Sequence, residues 1–209
     1  MALIFLRHSE PLIKLGVCYG QLDVEARVLS EVELSELSET LPQSLVRIDT
    51  SPLSRCAALA GRLAERLNRP LQIDPRLQEI DFGRREGCAW DDIPRGEIDD
   101  WAADVTGAKP YGGESVDEMT VRVRSYLDEC PYDQADVLAV THMGVVRCAH
   151  AAFGYEGELE MRLGYAQSMT FDAPPALIKA HTNDKQRSRN AQTRNEKAPG
   201  GSIEEAPRA

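Results

Sequence analysis

Ala2-Leu3-Ile4-Phe5-Leu6 is an apolar run that stops at Arg7-His8. A short run of this kind reads as a strand buried on both faces. A charged residue at its end is costly to bury unless partners await it. In open α/β sheets the carboxyl ends of the strands are where sites form. The pattern recurs twice. Val46 to Thr50 runs into Ser51-Pro52-Leu53-Ser54-Arg55-Cys56, and Asp136 to Thr141 runs into His142-Met143-Gly144-Val145-Val146-Arg147. Three strand ends thus supply His8, His142, Arg7, Arg55 and Arg147. That set points to a phosphate-ester pocket with a histidine at its centre.

The chain has 209 residues and is 42% hydrophobic, enough for one domain with a sizeable core. No apolar run reaches the ~20 residues of a membrane span. The first run is too short for a signal segment and lacks a basic region before it. The expectation is a cytoplasmic chain that binds no membrane. A formal charge of −10 disfavours nucleic acid as a partner. It also means that an anionic substrate needs a local cluster of arginines. The five cysteines are scattered with no C-x-x-C pair, so they read as reduced, mostly buried thiols rather than a disulfide framework or a zinc site.

Ser30-Glu31-Val32-Glu33 has capping-box spacing, followed by Leu34, Leu37 and Leu41 at helical intervals. Ser51-Pro52 reads as an N-cap with proline at the first helical position, before a face of Cys56, Ala60, Leu63 and Leu67. Leu71 to Asp74 reads as a short strand. From Pro75 to Gly113 the chain is irregular, with helical pieces expected around Trp90 and Trp101. Ser115-Val116-Asp117-Glu118 repeats the capping box and opens a helix through Met119, Val123, Tyr126 and Leu127. Val145 to Phe153 reads as a buried helix. Gln167 to Phe171 and Ala176 to Ala180 read as strands. Alternating strands and helices predict an α/β fold: a three-layer sandwich around a mostly parallel sheet. The domain is expected over residues 1–181. Residues 182–209 offer Ile203 as their one large aliphatic and no aromatic, so a disordered tail is expected there.

A neutral imidazole can attack phosphorus and form a phosphohistidine. The phosphoryl oxygens need fixed donors, and the planar fork of arginine suits them. Gly144 would let the backbone approach a ligand closely. The leaving alkoxide needs a proton. Leu77-Gln78-Glu79-Ile80-Asp81-Phe82-Gly83-Arg84-Arg85-Glu86-Gly87 offers carboxylates among apolar residues, a setting that favours a general acid. His150 and His181 lack such context and read as structural.

Taken together, Arg7-His8, Ser51 to Arg55, Glu79 and Thr141-His142-Met143-Gly144 resemble the signature of the histidine phosphatase, or phosphoglycerate mutase-like, superfamily over residues 2–181. The segments Gly16 to Val24, Leu77 to Gly83, Glu86-Gly87, Trp90 to Pro94, Trp101 and Gly112 to Ser115 resemble its alpha-ribazole phosphatase branch. That branch hydrolyses alpha-ribazole 5′-phosphate, or the equivalent cobalamin phosphate, in cobalamin biosynthesis.

The resemblance implies that His8 is the nucleophile and that Arg7 and Arg55 bind the phosphoryl group. It implies that His142 hydrogen-bonds that group, and that Glu79 donates a proton and then activates water. Glu86 is the alternative acid. Tyr19, Gly20 and Gln21 border the phosphate, and Met143 and Gly144 complete the substrate-binding set. No metal or cofactor is implied. The expected partner is a small-molecule phosphate ester, and a homodimer is left open.

Ser9 stands where glycine is usual. Arg85 replaces a common tryptophan, Glu25-Ala26 a Pro-Leu pair, and Tyr111 a proline. Trp90, Trp101 and Tyr111 are available either to stack on a base or to fill core. Asp91, Asp92, Asp99 and Asp100 read as a solvated face. Three alternatives stand beside the alpha-ribazole reading: a broad sugar-phosphate phosphatase, a phosphoglycerate mutase and a non-catalytic binding module. The compact stretch from Glu79 to His142 favours hydrolase over mutase.

Overall fold

The computed structural model describes residues 1–157 and 161–172. Among these, the sheet has five strands: β1 (Ala2–Arg7), β2 (Leu45–Thr50), β3 (Leu71–Ile73), β4 (Asp136–Thr141) and β5 (Ser168–Asp172). Their order is β3-β2-β4-β1-β5. The first four are mutually parallel, and β5 runs antiparallel along β1. The expected strand at Ala176 to Ala180, His181, the domain's end at 181 and the 182–209 tail lie outside the described residues.

Burial alternates by strand face and names the layers. Ile4, Leu6, Ile48, Leu138 and Val140 point to one side, where α1 (Glu31–Glu39) and α2 (Ser54–Leu67) bring Leu34, Cys56, Leu59, Ala60 and Leu63 against them. On the other side Asp49 of β2 accepts the Tyr126 hydroxyl from α4 (Val116–Glu129) at 2.9 Å. Phe5 meets Phe171 edge-on there, and Phe153, at the end of α5 (Met143–Ala152), stacks on Phe171. The result is the expected three-layer α/β sandwich. Between β3 and α4 the chain forms short 3-10 turns and α3 (Arg95–Ala103). No helix among the described residues is long and apolar enough to cross a membrane.

Both capping boxes form. The Ser30 and Ser115 hydroxyls accept from the amides of Glu33 and Glu118, whose carboxylates accept the cap amides in return. One expected cap does not. Helix α2 begins at Ser54 with Leu53 as its N-cap. Asp23 instead serves this helix end, accepting the Ser54 amide at 2.8 Å and the Ser54 hydroxyl at 2.7 Å. The Ser51 hydroxyl accepts the Leu53 amide at 3.3 Å, ahead of the helix, and meets His142 in the site. The five cysteines are free thiols and four of them are buried.

Candidate active site

Parallel pairing brings the three strand ends together. Arg7 is level with Thr141, and Thr50 with Val140. The pairing continues past the strands, because the His8 amide donates to the Thr141 carbonyl and the Ser51 amide to the Val140 carbonyl. His8 and His142 therefore sit side by side, with ring centroids 5.1 Å apart. The chain returning into β5 clasps the first strand end. Leu163 accepts Arg7 Nη1 at 2.7 Å, Ala166 donates to the carbonyls of Arg7 and His8, and the Tyr165 ring lies 4.0 Å beneath the Arg7 guanidinium.

His8 is 2% exposed, and its Nδ1 lies 2.7 Å from the Ser9 carbonyl. A carbonyl only accepts, so Nδ1 carries the proton and Nε2 carries the lone pair. Burial pushes the His8 pKa down to about 3; the bond to Ser9 opposes this and the charges of Arg55 and Arg7 add to it. The imidazole is thus held neutral and nucleophilic at Nε2. Ser9 does its part through its backbone, so serine in place of glycine leaves this arrangement intact.

The depressed pKa has a sign for stability. Below pH ~6.5 the unfolded chain binds a proton that native His8 refuses. Stability should therefore fall as pH drops from about 6.5 toward 3. Each such histidine contributes a loss of up to about 1.4 kcal/mol per pH unit. Melting curves at pH 7 and pH 5 check this. The wild type should lose more stability between them than His8→Gln, and parallel losses would show that His8 titrates normally.

His142 is fully buried, and burial together with Arg55 pushes its pKa well below the ordinary value. Its Nδ1 accepts from Arg55 Nε at 3.3 Å, so its Nε2–H donates to the Ser51 hydroxyl at 2.9 Å. Arg55, 1% exposed, also donates Nη1 to Leu22 O at 2.8 Å and Nη2 to Gly20 O at 2.5 Å. Both residues form a braced layer behind His8. Glu79 enters from the irregular stretch after β3. Its carboxylate accepts the Ile80 amide at 3.0 Å and the Gly144 amide at 3.1 Å.

Residues 3–171 match the family described as the histidine phosphatase superfamily (branch 1). The chain belongs to this superfamily. Among its relatives is a glucosyl-3-phosphoglycerate phosphatase of Mycobacterium tuberculosis, 28% identical over 170 residues, covering 72% of this chain and 74% of that one. Among solved structures, a phosphoglycerate mutase from Thermus thermophilus superposes with a TM-score of 0.64 at 28% identity, over 83% of this chain and 94% of the other. A mycobacterial glucosyl-3-phosphoglycerate phosphatase complexed with VO3 gives a TM-score of 0.69 at 25% identity, over 82% and 92%. These relatives bear phosphoglyceryl names, not alpha-ribazole phosphate, so the superfamily is shown and the branch is not.

In this member of the superfamily Arg7, His8, Tyr19, Glu79, Met143, Gly144 and Arg147 line one cavity of about 290 Å³, with Val17, Ile80, Phe82 and Trp90. Gly20 and Gln21 are not on that wall. Gly20 holds Arg55, and Gln21 donates Nε2 to the Glu79 carbonyl at 3.1 Å. Gly144 has a different use from the one expected: a Cβ there would sit 2.1 Å from Glu79 Oε1. The missing side chain lets Glu79 approach, rather than a ligand. Glu86, the alternative acid, accepts the amides of Gln21 and Phe82 on one oxygen and that of Leu22 on the other. It is a staple between loops, and the cavity wall does not include it.

Trp90 is on the wall, whereas Trp101 stacks behind it with centroids 6.5 Å apart, and Tyr111 is buried beside Cys18 and Ile93. Arg85 pairs with Glu97 over the Tyr111 ring. The four aspartates are exposed as expected. His150 packs among Tyr155 and Phe171, as a structural histidine does. Among the described residues no group of three or more His, Cys, Asp or Glu could hold a metal ion. Tyr165 and Arg122 were not singled out from sequence. Ser51 reads from sequence as a cap and as the first residue of the Ser-x-x-x-Arg signature, without a role of its own at the site.

Proposed function

We propose that the chain is a phosphomonoesterase that works through a phosphohistidine on His8. One observation carries this: His8, with its lone pair on Nε2, lines the same cavity as Arg7 and Glu79. Nε2 attacks phosphorus and forms the N–P bond while the ester P–O bond breaks. Glu79, as the acid, gives its proton to the leaving alkoxide. Among the described residues Arg7 Nε has no partner; the Arg7 guanidinium holds the charge on the phosphoryl oxygens, and the positive charge of Arg55 supports it from the braced layer behind His8. His142 backs this from the braced layer. Water then attacks the phosphohistidine, Glu79 takes the water's proton, and phosphate leaves with the electron pair restored to Nε2.

Two substrate readings remain. Tyr19, Phe82 and Trp90 on the wall, with the branch-like loops, support the benzimidazole of alpha-ribazole 5′-phosphate. A specific observation favours an ester whose alcohol carries a carboxylate, the chemistry in the relatives' names. Arg147 lines the cavity; among the described residues its buried Nε has no partner, and its Nη2 reaches Met161 O at 3.4 Å. Burial, with the neighbouring charge of Arg162, lowers its pKa, and the charge of Glu79 opposes this.

We take the carboxylated ester as the better-supported class. A phosphate-release screen over glucosyl-3-phosphoglycerate, 3-phosphoglycerate, sugar phosphates and alpha-ribazole phosphate tests it. Arg147→Gln should lower kcat/KM for the phosphoglyceryl ester about 10–100-fold, the worth of a charged hydrogen bond, and change 4-nitrophenyl phosphate under about threefold. If alpha-ribazole phosphate is preferred ~100-fold and Arg147→Gln leaves it unchanged, the first reading holds. Interconversion of phosphoglycerates faster than hydrolysis would make the chain a mutase.

A further inference from the structure

We propose that Arg122 and Glu114 form a clamp that positions Glu79. This rests on the reading of Glu79 as the proton donor. A proton donor must sit within hydrogen-bond reach of the leaving oxygen, and a misplacement of 1 Å can cost about 100-fold. Yet Glu79 is carried by a stretch that belongs to no strand or helix. Something other than a ladder must fix it.

Side chains do so. The carbonyls of residues 76, 77, 78 and 79 all accept from side chains of distant elements. Arg122 Nη1 donates to Arg76 O and to Gln78 O, each at 2.7 Å, and its Nη2 to Glu79 O at 3.1 Å. The Thr141 hydroxyl, at the end of β4, takes Leu77 O at 2.7 Å. Arg122 turns its remaining donors to Glu114, with Nε to Oε1 at 2.6 Å and Nη2 to Oε2 at 2.8 Å. All five N–H groups are thereby used inside the protein. This arginine has no donor left for a phosphate, so its role is positional. A planar fork suits the task because it fixes direction as well as distance.

The Gly112-Gly113-Glu114-Ser115 segment, which the catalytic steps leave without a use, gains one here. The Glu114 amide donates to Asp81 O at 2.9 Å, two residues past Glu79. A Cβ on Gly113 would lie 2.0 Å from the same carbonyl, so glycine is required for the loops to touch. Glu114 neutralises Arg122, and Ser115 caps α4, the helix that presents Arg122. Three consecutive residues, Gly113, Glu114 and Ser115, thus supply one half of the clamp and cap the helix that carries the other.

The test is a leaving-group comparison in single turnover on the full chain. It uses an alkyl phosphate, which needs a proton on leaving, and 4-nitrophenyl phosphate, which does not. Arg122→Lys keeps the charge and loses the fork. It should slow phosphorylation by the alkyl ester at least about tenfold and by the aryl ester under about threefold. Inorganic phosphate affinity should be unchanged. Glu114→Gln, a milder change, should move the ratio the same way should Arg122→Lys fail to fold. In a Glu79→Gln background, Arg122→Lys should add no further loss, because its effect runs through Glu79.

Equal losses on both esters, or a loss that persists in the Glu79→Gln background, would overturn the clamp while leaving Glu79 as the acid. If Glu79→Gln itself fails to separate the two esters, the acid assignment falls, and the clamp with it.

Discussion

His8→Ala should abolish the phosphoenzyme and lower kcat by at least about 10⁴-fold, some 5.5 kcal/mol of transition-state stabilisation. The size follows from the geometry. His8 is the wall histidine whose Nε2 lone pair is left unprotonated by the bond from Nδ1 to Ser9. His142 cannot substitute for it, because Arg55 and Ser51 occupy both of its nitrogens. Rapid acid quenching with a ³²P-labelled ester should trap an acid-labile, base-stable phosphohistidine in the wild type and none in the variant. A labelled histidine that survives in His8→Ala with turnover near normal would move the nucleophile elsewhere. Because removing a buried ring leaves a cavity, His8→Gln should be run beside it. It should be as inactive, which separates lost chemistry from lost packing.

What could be read from the sequence was what neighbours in sequence decide. The runs before Arg7, Ser51 and His142 are short, apolar and β-rich, so the strands and their shared polar end follow from pattern alone. Ser30 with Glu33, and Ser115 with Glu118, are three residues apart, and their caps form as that spacing predicts. The failures share a cause. Ser51 looks like no more than a cap until His142, ninety-one positions later, meets its hydroxyl. Gly144 looks like a place for a ligand until Glu79, from another loop, fills the space. Glu86 and Glu79 look equivalent in a string of letters. Only the folded loops show that Glu86 is consumed by three backbone amides and Glu79 faces the cavity. Tyr165 under Arg7 had no local signal, since its position depends on how β5 returns along β1.

Glu79→Gln should divide substrates by their leaving groups. An alkoxide is a poor leaving group and must be protonated as the P–O bond breaks; a nitrophenolate departs as the anion. Glutamine keeps the size of Glu79 and an acceptor for one of the amides of Ile80 and Gly144, which sit on different carboxylate oxygens, but it has no acidic proton. Phosphorylation of His8 by an alkyl ester should therefore slow by about 10²–10⁴-fold, the range for one general acid, and by an aryl ester less than about tenfold. The second step gives an independent check. Hydrolysis of the phosphohistidine needs a base for water whatever ester formed it. The variant should then accumulate phosphoenzyme from the aryl ester, with a burst of nitrophenolate followed by slow turnover. The two signatures must come together if one carboxyl serves both steps. A leaving-group effect without a burst would assign the acid to Glu79 and the base to another group. Equal slowing of both esters, with no burst, would remove Glu79 from the chemistry. Glu86→Gln is the control, since its carboxylate is spent on loop amides. It should lower stability through the loop it staples, and leave the alkyl-to-aryl ratio of the folded protein where it was.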